Sequence, residues 1–167
     1  DLARDYGLSA AGLGLLSGIY FFSFALFQLP LGILLDRYGP RKVNASLLLV
    51  AAGGGLWFAL AGSAAELTLA RGLIGLGVSG CLMASFSAFA LWYPADRLAT
   101  MNGIAFASGM LGAIAVTVPL ELALRVLHWR EVFYGVVALT VLVSLVLFVV
   151  VPEKAATRRS PPLAALL

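Results

Sequence analysis

The sequence predicts an all-α fold, a polytopic transmembrane helical bundle with five spans. Hydrophobic residues make up 62% of its 167 residues, charged residues only 11%, and the mean hydropathy is +1.02. A soluble domain carries roughly a quarter charged residues, so this chain lacks the polar shell that water requires. The charges cluster between apolar runs long enough to cross a bilayer, where only closed backbone hydrogen bonding is tolerated.

Taken in order, the predicted segments have different local signals. The first span contains five aromatic residues between Tyr20 and Phe27, and the spacing of Gly14 and Gly18 predicts close approach of a neighbouring helix. The predicted boundaries are an outer loop over 1–8, spans over 9–35, 43–61, 67–92, 98–124 and 132–151, and a cytoplasmic linker over 152–167.

The later spans are bounded by capping and turn residues. Ser63 and Glu66 predict a capping box that opens the third span, and Trp92-Tyr93-Pro94 ends it at the membrane interface. Three glycines, residues 53–55, lie in the middle of the second span, where lipid should keep the helix intact. Pro119 is expected to kink the fourth span.

The residues between the first two spans form the most distinctive stretch, with the pattern G-x-x-x-D-R-x-G-x-R-K from Gly32 to Lys42. Its charges and the Gly39-Pro40 pair predict a loop at the membrane surface. The pattern resembles the loop signature between the second and third helices of the major facilitator superfamily of secondary transporters.

Three weaker features strengthen the resemblance. They are Arg71 followed by two glycines in the third span, the corner from His128 to Phe133, and the Val151-Pro152-Glu153 ending. The resemblance implies transport of a small solute by alternating access, with or without a coupling proton or other ion. It also implies that these spans are the second to sixth helices of a six-helix half. A first helix and a second half would then belong to the same transporter.

The loop charges predict an orientation in the membrane. One side collects seven basic residues and the other three, which are Arg4, Arg125 and Arg130. The positive-inside rule places the larger group in the cytoplasm, so the N-terminus is expected outside and the C-terminus inside. The expected location is the inner or plasma membrane of a bacterium, as a multi-pass protein.

The resemblance implies a cytoplasmic gate. Asp36 would lie opposite the start of a helix in the other half and latch the outward-facing state, and Arg41 or Arg37 would pair with Asp96. The alternative is that these are solvated charges that only obey the positive-inside rule. The gating residues implied are Gly32, Asp36, Arg37, Gly39, Arg41, Lys42 and Asp96.

Arg71 is the one basic residue inside an apolar run, and intramembrane charge suggests function. Two interpretations stay open: a substrate or coupling role, or a structural role in which Arg71 reaches outward or pairs with Glu66. Further polar candidates for the transport path are Tyr20, Gln28 and Asn102. Glu121 and Arg125 are spaced to pair on one helix face.

Two functions other than transport are alternatives. The sequence from Gly77 to Gly80 matches the G-x-S-G of intramembrane serine proteases, but Ser79 should lie deep in its helix and His128 at the surface. A non-transporting membrane protein of the same fold is the second alternative. One histidine and one cysteine provide no metal site, so no catalytic residue, metal or cofactor is expected, and the basic residues form no nucleic-acid face.

Two transporter subclasses are disfavoured by missing patterns. Drug antiporters usually have Gly-Pro within a glycine-rich fifth helix, whereas the matching run here is residues 109–112, without proline. Nitrate carriers have an arginine in the second helix, and the apolar part of the first span here has none. The expected partners are the lipid bilayer and a small-molecule substrate.

Overall fold

A computed structural model describes residues 5–152 of the chain, and those residues confirm the all-α fold. The helices are α1 (Ala10–Tyr38), α2 (Pro40–Leu60), α3 (Ala64–Val78), α4 (Gly80–Trp92), α5 (Ala95–Val126) and α6 (Trp129–Val150). Because only Ser79 separates α3 from α4, they form one span, and the described chain holds five stretches apolar and long enough to cross a membrane. Residues 1–4 of the predicted outer loop and 153–167 of the predicted linker lie outside the described part.

The loop expected from Gly32 to Lys42 is not formed. Helix α1 continues to Tyr38, α2 begins at Pro40, and Gly39 alone connects them. Gly39 adopts φ 81° and ψ 154°, a conformation essentially restricted to glycine, while its N–H donates to Leu35 O at 3.0 Å and completes α1. Pro40 stands at the start of α2, where a missing N–H costs nothing. Turn-forming residues thus produced a one-residue break instead of a loop.

The helix starts are capped by side chains. Ser63 Oγ accepts from Glu66 N at 3.3 Å, but the Glu66 carboxylate accepts from Gly62 N at 2.9 Å, so only half of the predicted capping box forms. At α6, His128 Nδ1 accepts from Arg130 N at 3.4 Å, and Glu131 Oε2 accepts from His128 N at 2.9 Å. Histidine is not a usual capping residue, so the sequence did not predict this cap.

Helix α2 lies at the centre and packs against α3 and α6, while α1 packs against α3. Glycines make the close approaches possible. A Cβ on Gly77 would collide with the backbone of Ala51 in α2, and one on Gly75 would collide with the Tyr20 carbonyl of α1. The helices persist through the three glycines of α2 and through Pro119 of α5.

Among the described residues, α5 and the Gly14–Gly18 face of α1 are not covered by another helix. Helix α5 has no buried residue and makes only slight contacts with α4 and α6. The close helix approach predicted at Gly14 and Gly18 is not made by any described helix, because a Cβ at either position would meet nothing within 4 Å. The glycines used for packing lie in α2, α3 and α4 instead.

Candidate gating site and membrane-embedded polar residues

Asp36 lies in the last turn of α1 and is exposed to solvent. The C-terminal end of a helix carries partial negative charge, so a carboxylate there is electrostatically unfavourable unless a positive group lies nearby. Within residues 5–152, no hydrogen bond or ion pair satisfies Asp36. Its neighbour Arg37 complements the helix end and lies 5.4 Å from the centre of the Tyr38 ring.

Arg41 ties the start of α2 to the end of α6. Its Nη1 donates to Val151 O at 3.1 Å, and its guanidinium carbon lies 4.9 Å from the centre of the Phe148 ring. The carbonyl at the end of a helix has no partner within the helix, so a cation there is doubly favourable. Lys42 follows in the same first turn of α2 and is exposed.

Asp96 does not form the ion pair expected with Arg37 or Arg41 in the part of the chain that the structure describes. The carboxylate lies in the first turn of α5, where the helix N-terminus favours negative charge, and it is exposed. Gly32 is also open, since a Cβ there would meet nothing within 4 Å. No described helix therefore packs closely against this glycine.

Arg71 is half-buried between aromatic rings of two other helices. Its guanidinium carbon lies 5.3 Å from the centre of the Tyr20 ring on α1 and 5.9 Å from that of Phe58 on α2. The expected alternative partner, Glu66, caps α3 through Gly62. The structure thus brings together two predicted transport-path residues, Arg71 and Tyr20, through cation–π contacts.

Gln28 bonds to the irregularity in the third span. Its Nε2 donates to Ser79 O at 3.2 Å, between α3 and α4, and Ser79 Oγ donates to Leu76 O at 2.6 Å. A helix break frees backbone carbonyls that need partners in a membrane, and Gln28 supplies one from α1. The predicted single helix over 67–92 is interrupted at this point.

Asn102 lies apart from the other candidates. It is half-buried on α5, and its Oδ1 has no hydrogen-bond partner within the described chain. No described contact joins Asn102 to Arg71, Tyr20 or Gln28. The Glu121–Arg125 pair on the same helix is confirmed at 2.7 Å, and both side chains are exposed.

A polar cluster at the C-terminal end of α2 is not predicted by the sequence. Arg130 Nη2 donates to Tyr6 Oη at 2.6 Å and to Ala61 O at 3.1 Å, and Tyr6 donates to the same carbonyl at 2.5 Å. Trp129 Nε1 donates to Asp5 Oδ2 at 2.9 Å. These bonds join the residues before α1 to the end of α2 and the start of α6. The Trp129-Arg130 corner was visible in the sequence, but its partners are more than 60 residues away.

The protease alternative finds no support in this geometry. Ser79 lies at the level of Ala51, which contacts neighbouring Gly77, whereas His128 adjoins Arg130, which bonds at Ala61. Ten residues of α2 separate these levels, about 15 Å at helical rise. A serine nucleophile and its base must lie within hydrogen-bond reach.

Taken together, the apolar helices and the polar groups at their ends define a multi-pass integral membrane protein. The sequence profile of the Major Facilitator Superfamily matches residues 1–165. The chain therefore belongs to the major facilitator superfamily.

Curated relatives of this chain have different solutes in their names. A probable sulfoacetate transporter of Cupriavidus necator is 29% identical, over 79% of this chain and 31% of its own length. The nitrate/nitrite transporter of a Picosynechococcus species is 34% identical, over 67% of this chain and 21% of its length. A quinolone resistance transporter of Acinetobacter baumannii is 28% identical, over 91% of this chain and 36% of its length. The chain thus spans about a third or less of these relatives.

Proposed function

We propose that this chain is part of a secondary transporter that moves a small solute across a membrane by alternating access. Family membership supports transport, and the greater length of the relatives supports further helices. The intact protein would have one helix packed before α1 and a second six-helix half. The open glycine face of α1 and helix α5, which has no buried residue, are surfaces that such helices would cover.

The observation that carries the proposal is the placement of Asp36. An exposed carboxylate at the negative end of α1 is stabilised when the positive end of another helix approaches it. Such a contact is worth about 0.3 to 2 kcal/mol, which is weak enough to break in every transport cycle. Asp36 would therefore latch the two halves, with Gly39 and Arg41 holding in position the α1–α2 hairpin, the two helices joined at Gly39. Gly32, Arg37, Lys42 and Asp96 would surround the contact on the cytoplasmic side.

The solute class is proposed from Arg71 and from the relatives. A guanidinium held between rings, with no described carboxylate within 4 Å, keeps a positive charge for an anion in the membrane interior. Two relatives named above carry anions in their names, sulfoacetate and nitrate. Although the nitrate-carrier pattern is absent from α1, a small anion is the best-supported class. Gln28, bonded beside the helix break, and Asn102 would line the same path.

The test is uptake by cells that produce the intact protein. Labelled sulfoacetate, nitrate and a quinolone serve as probes, and the solute that enters is used for the variants. We expect Asp36→Asn to slow uptake by about 2- to 30-fold, the range that corresponds to 0.3–2 kcal/mol, with normal membrane insertion.

Glu121→Gln provides the matched control. It also neutralises an exposed acid on a membrane helix, but at the opposite end of the bundle, and should leave uptake unchanged. Unchanged kinetics in Asp36→Asn would contradict the gate. Normal insertion without uptake of any probe would favour the second candidate, a non-transporting membrane protein of the same fold.

A further inference from the structure

Phe58 is the more deeply buried of the two rings that contact Arg71. Its side chain, in the last turn of α2, is only 3% exposed, and the guanidinium carbon of Arg71 lies 5.9 Å from the ring centre. Tyr20, the other ring, has its centre 5.3 Å from the same carbon and is half-buried on α1. The guanidinium therefore contacts one buried ring and one partly exposed ring.

Neighbouring rings hold Phe58 in place. Phe133 of α6 stacks on it with ring centres 4.6 Å apart and planes 21° apart, and Trp129 meets it edge-on with ring centres 6.0 Å apart. Trp129 is itself only 6% exposed, and its Nε1 donates to Asp5 Oδ2 at 2.9 Å. Stacked and edge-to-face arrangements stabilise aromatic pairs beyond the area that they bury. Phe58 is thus fixed to the start of α6 and cannot turn without disturbing this cluster.

The guanidinium of Arg71 is restrained by ring contacts alone among the described residues. Within residues 5–152 it makes no hydrogen bond or ion pair, and these residues do not enclose its nitrogen atoms. An arginine side chain has several rotatable bonds, so without contacts at its tip it would occupy many rotamers. Ordering a side chain when a ligand binds weakens the affinity, whereas a side chain already held in position avoids that cost.

We propose that Phe58 is a positioning residue, which holds the Arg71 guanidinium in the orientation that binds the transported anion. The inference rests on the proposed function, in which Arg71 attracts a small anion. Phe58 acts through Arg71 and does not touch the solute, because its ring is buried. Removing the ring should therefore weaken anion binding and leave movement of the bound anion nearly unchanged.

The test replaces the ring of the intact protein by an aliphatic side chain. Phe58→Leu keeps the site apolar but removes the aromatic face. Affinity is measured on the purified protein by isothermal titration calorimetry with nitrate and with sulfoacetate, and uptake gives the KM and the maximal rate for the anion that enters. We expect the Kd and the KM to rise by about 3- to 30-fold, the range of a partly buried cation–π contact, with the maximal rate within about 2-fold of native.

Phe133→Leu is the matched control. It makes the same change in the same cluster, but Phe133 has no described contact with Arg71. Its Kd should remain near the native value, because Trp129 still holds Phe58. Its thermal stability should fall as in Phe58→Leu, because both changes remove buried ring atoms.

A double-mutant cycle separates positioning from packing. On an Arg71→Met background no cation is left to position, so Phe58→Leu should cause no further loss of affinity. A ring that only packs would lower the affinity equally on both backgrounds. If Phe58→Leu does not insert, Phe58→Met takes its place, because the unbranched methionine side chain fills irregular space in a core.

A native protein that binds neither anion would overturn this inference together with the proposed anion class. If Arg71→Met weakens binding and Phe58→Leu does not, only the positioning role fails. The role also fails if Phe133→Leu weakens binding as much as Phe58→Leu does, or if the two losses in the cycle are additive.

Discussion

Arg71 is held in an apolar helix by aromatic rings rather than by a carboxylate. Tyr20 and Phe58 come from different helices, so the guanidinium lies where α1, α2 and α3 meet. Cation–π contacts orient a guanidinium without neutralising its charge, whereas an ion pair would cancel that charge. This arrangement is consistent with the anion-binding role proposed for Arg71.

For Arg71, the prediction compares two substitutions in the intact protein. Arg71→Met removes the charge but keeps a long apolar side chain, and anion uptake should fall at least about 10-fold, with normal insertion. Arg71→Lys keeps the charge as a more compact group and should retain part of the uptake. The measurement is initial uptake rate, normalised to protein in the membrane. Normal uptake by Arg71→Met would show that the residue is structural.

The sequence singled out Arg71 because a lone charge in an apolar run is visible without a structure. Its partners were not predictable, since Tyr20 and Phe58 are ordinary aromatic residues in other spans. The same limit applies to the bonds of Arg130 with Tyr6 and Ala61, which depend on how distant helices meet. A charged residue can be recognised from the sequence around it, whereas a contact between two helices depends on how the whole chain folds.

Among the elements, α2 has the clearest division between an open face and a packed face. Its three successive glycines point in different directions. A Cβ on Gly53 would meet nothing within 4 Å, one on Gly54 would lie 2.9 Å from Ile74 N, and one on Gly55 would lie 2.9 Å from Val137 Cγ2. Gly54 and Gly55 thus allow α3 and α6 to approach α2, and Gly53 does not.

These directions lead to a prediction for single alanine substitutions. Gly54→Ala places a methyl group against a backbone atom, so the free energy of unfolding should fall by about 1–3 kcal/mol. Gly53→Ala should leave it unchanged or raise it by up to about 1 kcal/mol, because alanine favours the helix. The measurement is unfolding of the intact protein in mixed micelles. Equal losses at the two positions would contradict the packing described.

The spans themselves were predictable, because hydropathy and length are properties of the chain alone. The packing faces were not. Gly14 and Gly18 have the spacing of a packing motif, yet the described helices leave them uncovered, whereas Gly77 and Gly80 contact α2 residues. The sequence predicts a loop at Gly39, where the structure has a one-residue junction, because glycine and proline mark both loops and abrupt helix junctions. Only the backbone angles distinguish the two.

At the scale of the whole molecule, the two ends of the bundle have different chemistry. One end carries the basic residues of the hairpin, and the other carries the bonds that Tyr6 and Arg130 make with Ala61. Arg97 lies in the first turn of α5 at the first end, and Arg125 lies in the last turn of α5 at the second. If the basic end is cytoplasmic, as the charge count predicts, the two arginines lie on opposite sides of the membrane.

Single-cysteine labelling tests this orientation in intact cells. On a Cys81→Ala background, Arg125→Cys should react with a membrane-impermeant maleimide added outside, and Arg97→Cys should react only after the cells are opened. In the native protein, Cys81 lies half-buried inside a span and should not react with the maleimide in intact or opened cells. The reverse labelling pattern would show that the basic hairpin faces outward.

The junction at Gly39 also has a mechanical consequence. Only one residue joins α1 to α2, and its N–H donates to Leu35 O, so there is no loop there to absorb a displacement of Asp36. The displacement passes into α2 and, through the Arg41–Val151 hydrogen bond, to the C-terminal end of α6. The α1–α2 hairpin would then move as one rigid unit. Inserting a single flexible residue beside Gly39 should uncouple movement of the Asp36 carboxylate from tilting of α2 and α6.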